Sequence, residues 1–284
     1  MAQTERKTTQ KKQRHWGRKF LLLLILTGVI LVGVQNKDKT EASDHGLQNQ
    51  IEQDDRVKSE EIPKEENLST AEKLKVIQTS GNYPEAMISF ANHYQEAVDY
   101  VYEYPELKNT QSEIDLSAET TAEWVPLLMQ WDARWGYLPY GDGLLGYTGC
   151  GPVALSMVAL YLTKDPQWTP VRIADMAVEQ GYCVPGNGSS WDLIREGSRQ
   201  LGLQARAIPL KQEAIQAELD QDHPIIVVVG PGTFTRSGHF LVIIGYDETG
   251  FFINDPNSYE NSCQTWSYES LQSEIKDLWA ISKP

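Results

Sequence analysis

Apolar and polar positions divide this 284-residue chain into four stretches. Residues 20–34, FLLLLILTGVILVGV, are apolar and uncharged. Fifteen such residues match the upper length of a signal-peptide core, about 7–15, and fall short of the roughly 20 that span a bilayer comfortably. The exit reads LVGVQNKD, without an A-x-A pattern, so the segment reads as an uncleaved signal anchor, with a cleaved signal peptide as the alternative. Residues 35–70 are polar. From Glu41 to Glu66 nine acidic residues stand against three basic ones, the composition of a disordered tether. Across 71–120 apolar positions return at helical spacing: Ala86, Met87, Phe90, Ala91, Tyr94, Ala97, Val98 and Val101. This predicts one or two helices, with Pro84 in a first turn and Pro105 as the end, and then a polar linker over 109–120. Their apolar face would pack on the following domain as an N-terminal extension.

Residues 121–284 are dense enough for a globular domain. A helix is predicted to open at Gly149–Pro152, and its apolar residues from Val153 through Tyr161 lie on nearly all sides, which marks a helix buried all round. Thr169-Pro170 predicts the start of a second helix that stops near Gly181. Ser189 or Ser190 would cap a third, ending near Gly202. Leu203–Ile208 reads as a strand and 211–219 as a short helix. PIIVVVG (224–230), HFLVIIGY (239–246) and FFIND (251–255) are strand signals, the last two joined by the hairpin signal DETG. A helix near Tyr268–Ile275 and a strand at Leu278–Ser282 close the chain. Helices first and an antiparallel sheet second argue for an α+β fold.

Charge narrows the function classes. The formal net charge is −14, which disfavours a nucleic-acid partner. Residues 1–19 run against that balance, with seven basic residues and one acid, and this basic head is expected to stay in the cytoplasm. Everything after Val34 would then lie outside the membrane. The three cysteines, Cys150, Cys183 and Cys263, form no C-x-x-C pair, so neither a structural zinc site nor any other metal or cofactor is expected. A Cys183–Cys263 disulfide would leave Cys150 free; unpaired thiols are the alternative.

Cys150 sits between two glycines at the start of the buried helix. Unpaired N–H groups there favour the thiolate, and bare backbone on either side would admit a substrate carbonyl. A small buried cysteine would fit nearly as well. A thiolate also needs a base. His239 begins a strongly apolar strand and is the best placed of the five histidines. Asp255 ends the partner strand. A three-residue loop, Glu248–Gly250, would pair 243 with 255 and put 239, 243 and 255 on one face, with His239 and Asp255 four residues apart. A four-residue loop would separate their faces. Asn254 and Asn257 are rivals for the orienting role.

Four stretches in order, Gln130–Tyr137 (QWDARWGY), Gly149–Pro152 (GCGP), Ser237–Phe240 (SGHF) and Asn254–Ser258 (NDPNS), resemble the bacterial peptidases of cysteine family 39 and their extracellular relatives. That family includes papain-like peptidases that trim double-glycine leaders from bacteriocins. The resemblance spans about Trp124 to Pro284. NYPEAMISFANHYQEAVDYVYEYPE, before it, resembles the lead-in helices of membrane-anchored Gram-positive members. The resemblance implies a papain-like fold with nucleophile Cys150, base His239 and orienting residue Asp255. It also implies an oxyanion glutamine a few residues before the nucleophile, and here the sequence departs from the pattern. Leu144 stands six residues before Cys150, and the nearest upstream glutamine is Gln130, twenty before. GYLPYGDGLLGYTG would have to loop back for Gln130 to serve; otherwise Gln130 is a polar residue at the rim of a Trp131/Trp135 cluster.

The expectation is a membrane-tethered extracellular cysteine peptidase acting on a peptide or protein substrate. A cell-wall peptide amidase or endopeptidase on a related scaffold, and an inactive surface-binding module, are the competing readings. Secretion after signal cleavage is the alternative to anchoring.

Overall fold

In the computed structural model, which describes residues 68–110 and 112–284, six strands form an antiparallel sheet. They are β1 (Gln204–Ala207), β2 (Ile225–Val229), β3 (His239–Asp247), β4 (Gly250–Asn254), β5 (Thr265–Trp266) and β6 (Ile275–Ser282), in the spatial order β1-β6-β2-β3-β4-β5. The eight principal helices are α1 (Thr70–Thr79), α2 (Glu85–His93), α3 (Val98–Leu107), α4 (Cys150–Thr163), α5 (Pro170–Glu179), α6 (Gln212–Leu219), α7 (Tyr259–Ser262) and α8 (Tyr268–Glu274).

The run IIVVV in β2 has no polar position because both faces of the sheet are covered. Ile226 and Val228 join Phe240 and Val242 in a core completed by α4 and α5. Ile225, Val227 and Val229 face the opposite way, into a second core with Ile215 and Leu219 of α6 and Leu271 of α8. The alternation is the two-residue period of a strand read on two buried faces. Helix α4 is buried from Gly151 through Leu160, as its all-round apolar pattern predicts. Each large side chain it buries contributes about 1.5–3 kcal/mol, so α4 is a rigid support for its first residue, Cys150. Thr169 caps α5 by accepting from the Arg172 N–H, with Pro170 at the first helical position.

Several elements differ from the sequence reading. The segment expected to hold one or two helices holds three, α1 to α3, with a 3-10 turn at Gln95–Ala97 before α3. Pro105 lies inside α3 and does not end it; the helix runs two residues further, and Lys108 closes it by donating to the Tyr104 carbonyl. The stretch 109–120 contains a short helical turn at Ser117–Thr120 and a wholly buried Leu116. The third helix is two separate turns, Asp192–Arg195 and Gly197–Gln200, without a serine cap. Ser189 is in a two-stranded ribbon with Cys183–Val184, where its hydroxyl meets the Tyr140 hydroxyl at 2.6 Å. No disulfide joins Cys183 to Cys263: both are free thiols, the first half-buried within that ribbon and the second exposed after α7.

The basic head at 1–19, the apolar segment at 20–34 and the acidic stretch up to residue 67 lie outside the described residues. Among the described residues no helix is long and apolar enough to cross a membrane.

Candidate active site

The hairpin β3–β4 brings two of the expected residues together. The turn is tighter than the sequence suggested: Asp247 pairs with Gly250, leaving two residues at the tip. An extra residue, Ile244, bulges between the pairs Ile243↔Ile253 and Gly245↔Phe252. Ile243 therefore faces Ile253 and not Asp255. Extending this register sets Asp255 opposite Leu241, two residues from His239 on the same side, within reach of long side chains. His239 Nε2 donates to Asp255 Oδ1 at 2.7 Å, with both residues buried.

Further contacts hold Asp255 in place. Its Oδ1 also accepts from the Asn257 N–H at 2.8 Å, and its Oδ2 accepts from Asn261 Nδ2 at 2.8 Å. Its own N–H donates to Ser262 Oγ at 2.9 Å, and that hydroxyl donates to the Ser258 carbonyl at 2.8 Å. A carboxylate bound this way cannot turn away from the imidazole. The two asparagines weighed against Asp255 have other tasks. Asn254 Nδ2 donates to the carbonyls of Val125 (3.1 Å) and Pro126 (3.0 Å), strapping that segment to the hairpin. Asn257 Oδ1 accepts from Gln130 Nε2 at 3.2 Å.

With Nε2 engaged by Asp255, Nδ1 is the ring nitrogen of His239 left to serve the Cys150 thiol, and the two groups act on each other's pKa. Burial pushes the Cys150 pKa up; the hydrogen bond and charge of His239, with the Phe240 and Gly151 N–H groups, outweigh it and leave the thiol below its ordinary range. Burial alone would lower the His239 pKa. The Asp255 charge and hydrogen bond, with the Cys150 contact, raise it to about 10. Thiolate and imidazolium favour each other here.

The glycines around Cys150 have a packing reason that the sequence did not reveal. A Cβ at Gly149 would stand 2.5 Å from the Leu145 carbonyl oxygen, and one at Gly151 would stand 2.7 Å from Ser189 Oγ. They let α4 start flush against its neighbours, and access for a substrate is not needed to explain them.

Gln130 is buried and is not a rim residue. The stretch after it does loop back: Pro139–Tyr140 pairs with Gly143–Leu144, and Gly146 N–H donates to the Gly136 carbonyl at 2.9 Å. Gln130 is tied to the Asp255 loop by its own N–H, which donates to the Pro256 carbonyl at 2.7 Å, and by its amide contact with Asn257. Trp131 Nε1 adds a bond to the Asn257 carbonyl at 3.2 Å. Gln130 Oε1 is buried without a hydrogen-bond partner. Sequence reasoning missed Asn261, Ser262 and the Phe240 N–H. Ser258, which caps α7 by accepting from the Asn261 N–H, was the available sign that a helical turn follows NDPNS.

Among the described residues no cluster of side chains has the make-up of a metal site. No curated protein matches the chain. Among solved structures, the chain is similar to the peptidase domain of Streptococcus ComA, a bi-functional ABC transporter involved in a quorum-sensing pathway. Identity is 22%, with 56% of this chain and 99% of that one covered and a TM-score of 0.42. It is also similar to a structure named as a C39-like peptidase from Bacillus anthracis, at 18% identity, with 61% and 99% covered and a TM-score of 0.33. A profile of the Peptidase C39-like family matches residues 123–283, more than half of the chain. Its match takes in the thiol, the imidazole and the carboxylate described above: the chain belongs to the Peptidase C39-like family and is a cysteine peptidase.

Proposed function

We propose that this chain is a membrane-tethered extracellular peptidase whose nucleophile is Cys150, with His239 as acid and base, Asp255 as the orienting carboxylate and Gln130 as an oxyanion donor. The observation that carries the assignment is the 2.7 Å bond from His239 Nε2 to Asp255, which leaves the opposite ring nitrogen to serve the Cys150 thiol. Asp255 fixes the tautomer with the proton on Nε2 and balances the imidazolium.

Thiolate Sγ attacks the scissile carbonyl carbon, and the π pair moves onto oxygen. The Cys150 N–H at the start of α4 and the Gln130 amide face that oxyanion. As it collapses, the C–N bond breaks and His239 Nδ1–H passes its proton to the leaving amine. Water, deprotonated by the now neutral Nδ1, hydrolyses the thioester and restores the thiol. The orphan amide atom of Gln130 supports its role. Turning the Gln130 and Asn257 amides by half a turn keeps their mutual bond with the roles exchanged. It then places Gln130 Nε2, an unpaired buried donor, where Oε1 now stands.

Tethering rests on the basic head and the apolar run at 20–34, followed by the acidic stretch that would hold the enzyme off the membrane. The test is to compare peptides released at the cell surface by wild type and Cys150→Ala. Peptides that vanish in the variant support the assignment. Identical peptide sets, with Cys150 alkylated by iodoacetamide no faster than Cys183 or Cys263, overturn it. Release of cell-wall peptides alone would make the enzyme an endopeptidase of that polymer.

A further inference from the structure

The helical segment α1–α3 lies outside the family match, which begins at residue 123, yet one of its residues reaches the loop that carries Asp255. Glu96 is in the 3-10 turn before α3. Its carboxylate accepts from Ser258 Oγ at 2.6 Å, from the Tyr259 N–H at 2.8 Å and from the Glu260 N–H at 3.1 Å. These donors belong to the first turn of α7, which follows directly on Asp255-Pro256-Asn257. Helix α7 in turn supplies Asn261 and Ser262, which hold the Asp255 carboxylate and backbone. A four-residue helix has little stability of its own. Here its first N–H groups and its cap find their acceptor on another part of the chain.

The segment is fitted to the domain and does not merely lie beside it. Tyr100 of α3 donates to the Gly136 carbonyl at 2.7 Å, Tyr137 donates back to the Tyr100 carbonyl at 2.8 Å, and the two rings stack at 4.6 Å. A Cβ at Gly136 would stand 2.8 Å from the Tyr100 ring, and one at Gly146 would stand 2.3 Å from its hydroxyl oxygen. Two glycines of the matched domain are thus shaped around a side chain of the extension.

We propose that the helical extension completes the active site, with Glu96 as a positioning residue that holds the loop carrying Asp255. The proposal rests on Cys150, His239 and Asp255 acting as assigned above. It makes the working unit residues 68–284 and not the matched domain alone. Glu96 acts on the thiolate through Asp255 and His239.

The test uses the full chain and three variants: Glu96→Ala, Glu96→Gln and Cys150→Ala. Iodoacetamide alkylation of Cys150 is followed by mass spectrometry across pH, with Cys263 as the internal exposed thiol. Turnover is measured on a mixture of quenched-fluorescent peptides. Glu96→Ala is expected to slow Cys150 alkylation at neutral pH about tenfold, narrow its pH range, and lower kcat by a similar factor with little change in KM. Glu96→Gln, which keeps acceptor lone pairs, should recover part of both. If Glu96→Ala fails to fold, Glu96→Gln decides. Wild-type alkylation profiles and turnover in the folded Glu96 variants, with Cys150→Ala inactive, overturn this proposal and leave the assignment of Cys150 intact. A wild-type Cys150 no more reactive than Cys263 overturns both.

Discussion

Replacing Asp255 with asparagine removes one charge from the site and little of its shape. Asparagine keeps an oxygen where Oδ1 accepts from His239 Nε2 and the Asn257 N–H, and Asn261 can turn its amide to accept from the new NH₂. Against the pull of burial, the charge is the largest of the influences that raise the His239 pKa to about 10, ahead of the Asp255 hydrogen bond and the Cys150 contact. Two unit charges about 4 Å apart interact by roughly 4 kcal/mol at an effective dielectric of 20. At 1.36 kcal/mol per unit this is about three pH units. The sign follows from the direction of the shift. The imidazolium is present below its pKa and is lost as pH rises through it, so Asp255→Asn should pull the alkaline limb of kcat/KM down by about three units. Cys150 loses the imidazolium that stabilises its thiolate, so the acid limb should move up. The window in which thiolate and imidazolium coexist closes from both sides. The assay is the pH profile of kcat/KM, with the Cys150 alkylation rate as a substrate-free check. An alkaline limb that stays within half a unit of wild type would refute the claim that Asp255 sets the charge state of His239.

Three further outcomes are expected. Iodoacetamide should label Cys150 well before Cys183 at neutral pH, because burial, the largest influence, and the Asp142 charge raise the Cys183 thiol while His239 lowers that of Cys150; peptide mapping of partly labelled protein gives the order, and equal rates count against an activated thiol. Gln130→Ala should lower kcat about 10²–10³-fold, the usual effect of removing one oxyanion donor, with the Cys150 alkylation rate preserved; a parallel fall in alkylation would make Gln130 a structural residue. Gly149→Ala drives a Cβ to within 2.5 Å of the Leu145 carbonyl oxygen, and overpacking of this kind costs about 1–3 kcal/mol, so urea unfolding should shift to lower midpoint; an unchanged midpoint would show that the backbone yields freely there.

What could be read from the sequence was set by local pattern. The all-round apolar face of α4, the unbroken run of β2 and the Thr169-Pro170 start of α5 each follow from side chains that decide burial or capping by themselves. The candidates Cys150, His239 and Asp255 could be named because a thiol at a helix start and a histidine at a strand start have few rivals in this chain. What could not be read depends on contacts far along the chain. Glu96 and Ser258 are 162 positions apart, and nothing near Glu96 marks it as an acceptor for α7. The glycines beside Cys150 looked like access to the sulfur, whereas Leu145 and Ser189 account for both. Pro105 is a helix breaker by propensity, but α3 is held by Val98, Tyr100 and Val101 against the core of the extension, and packing outweighs one lost hydrogen bond.

The hairpin shows how the distance between His239 and Asp255 is set from the far end of the strands. Side chains alternate across a strand, so any change of register by one residue moves Asp255 to the opposite face. The two-residue turn shortens the expected loop by one, which alone would set Asp255 against Val242, on the face away from His239. The bulge at Ile244 adds one residue to β3 and shifts the register again, to Leu241. Two odd steps make an even one: the face is restored, and the separation falls from four residues to two. Gly245, an isolated glycine in VIIGY, is the residue type that marks such a bulge. The bulge and the tight turn are therefore a matched pair, each wrong for the site without the other. Their joint effect is the 2.7 Å contact between imidazole and carboxylate at the other end of the hairpin.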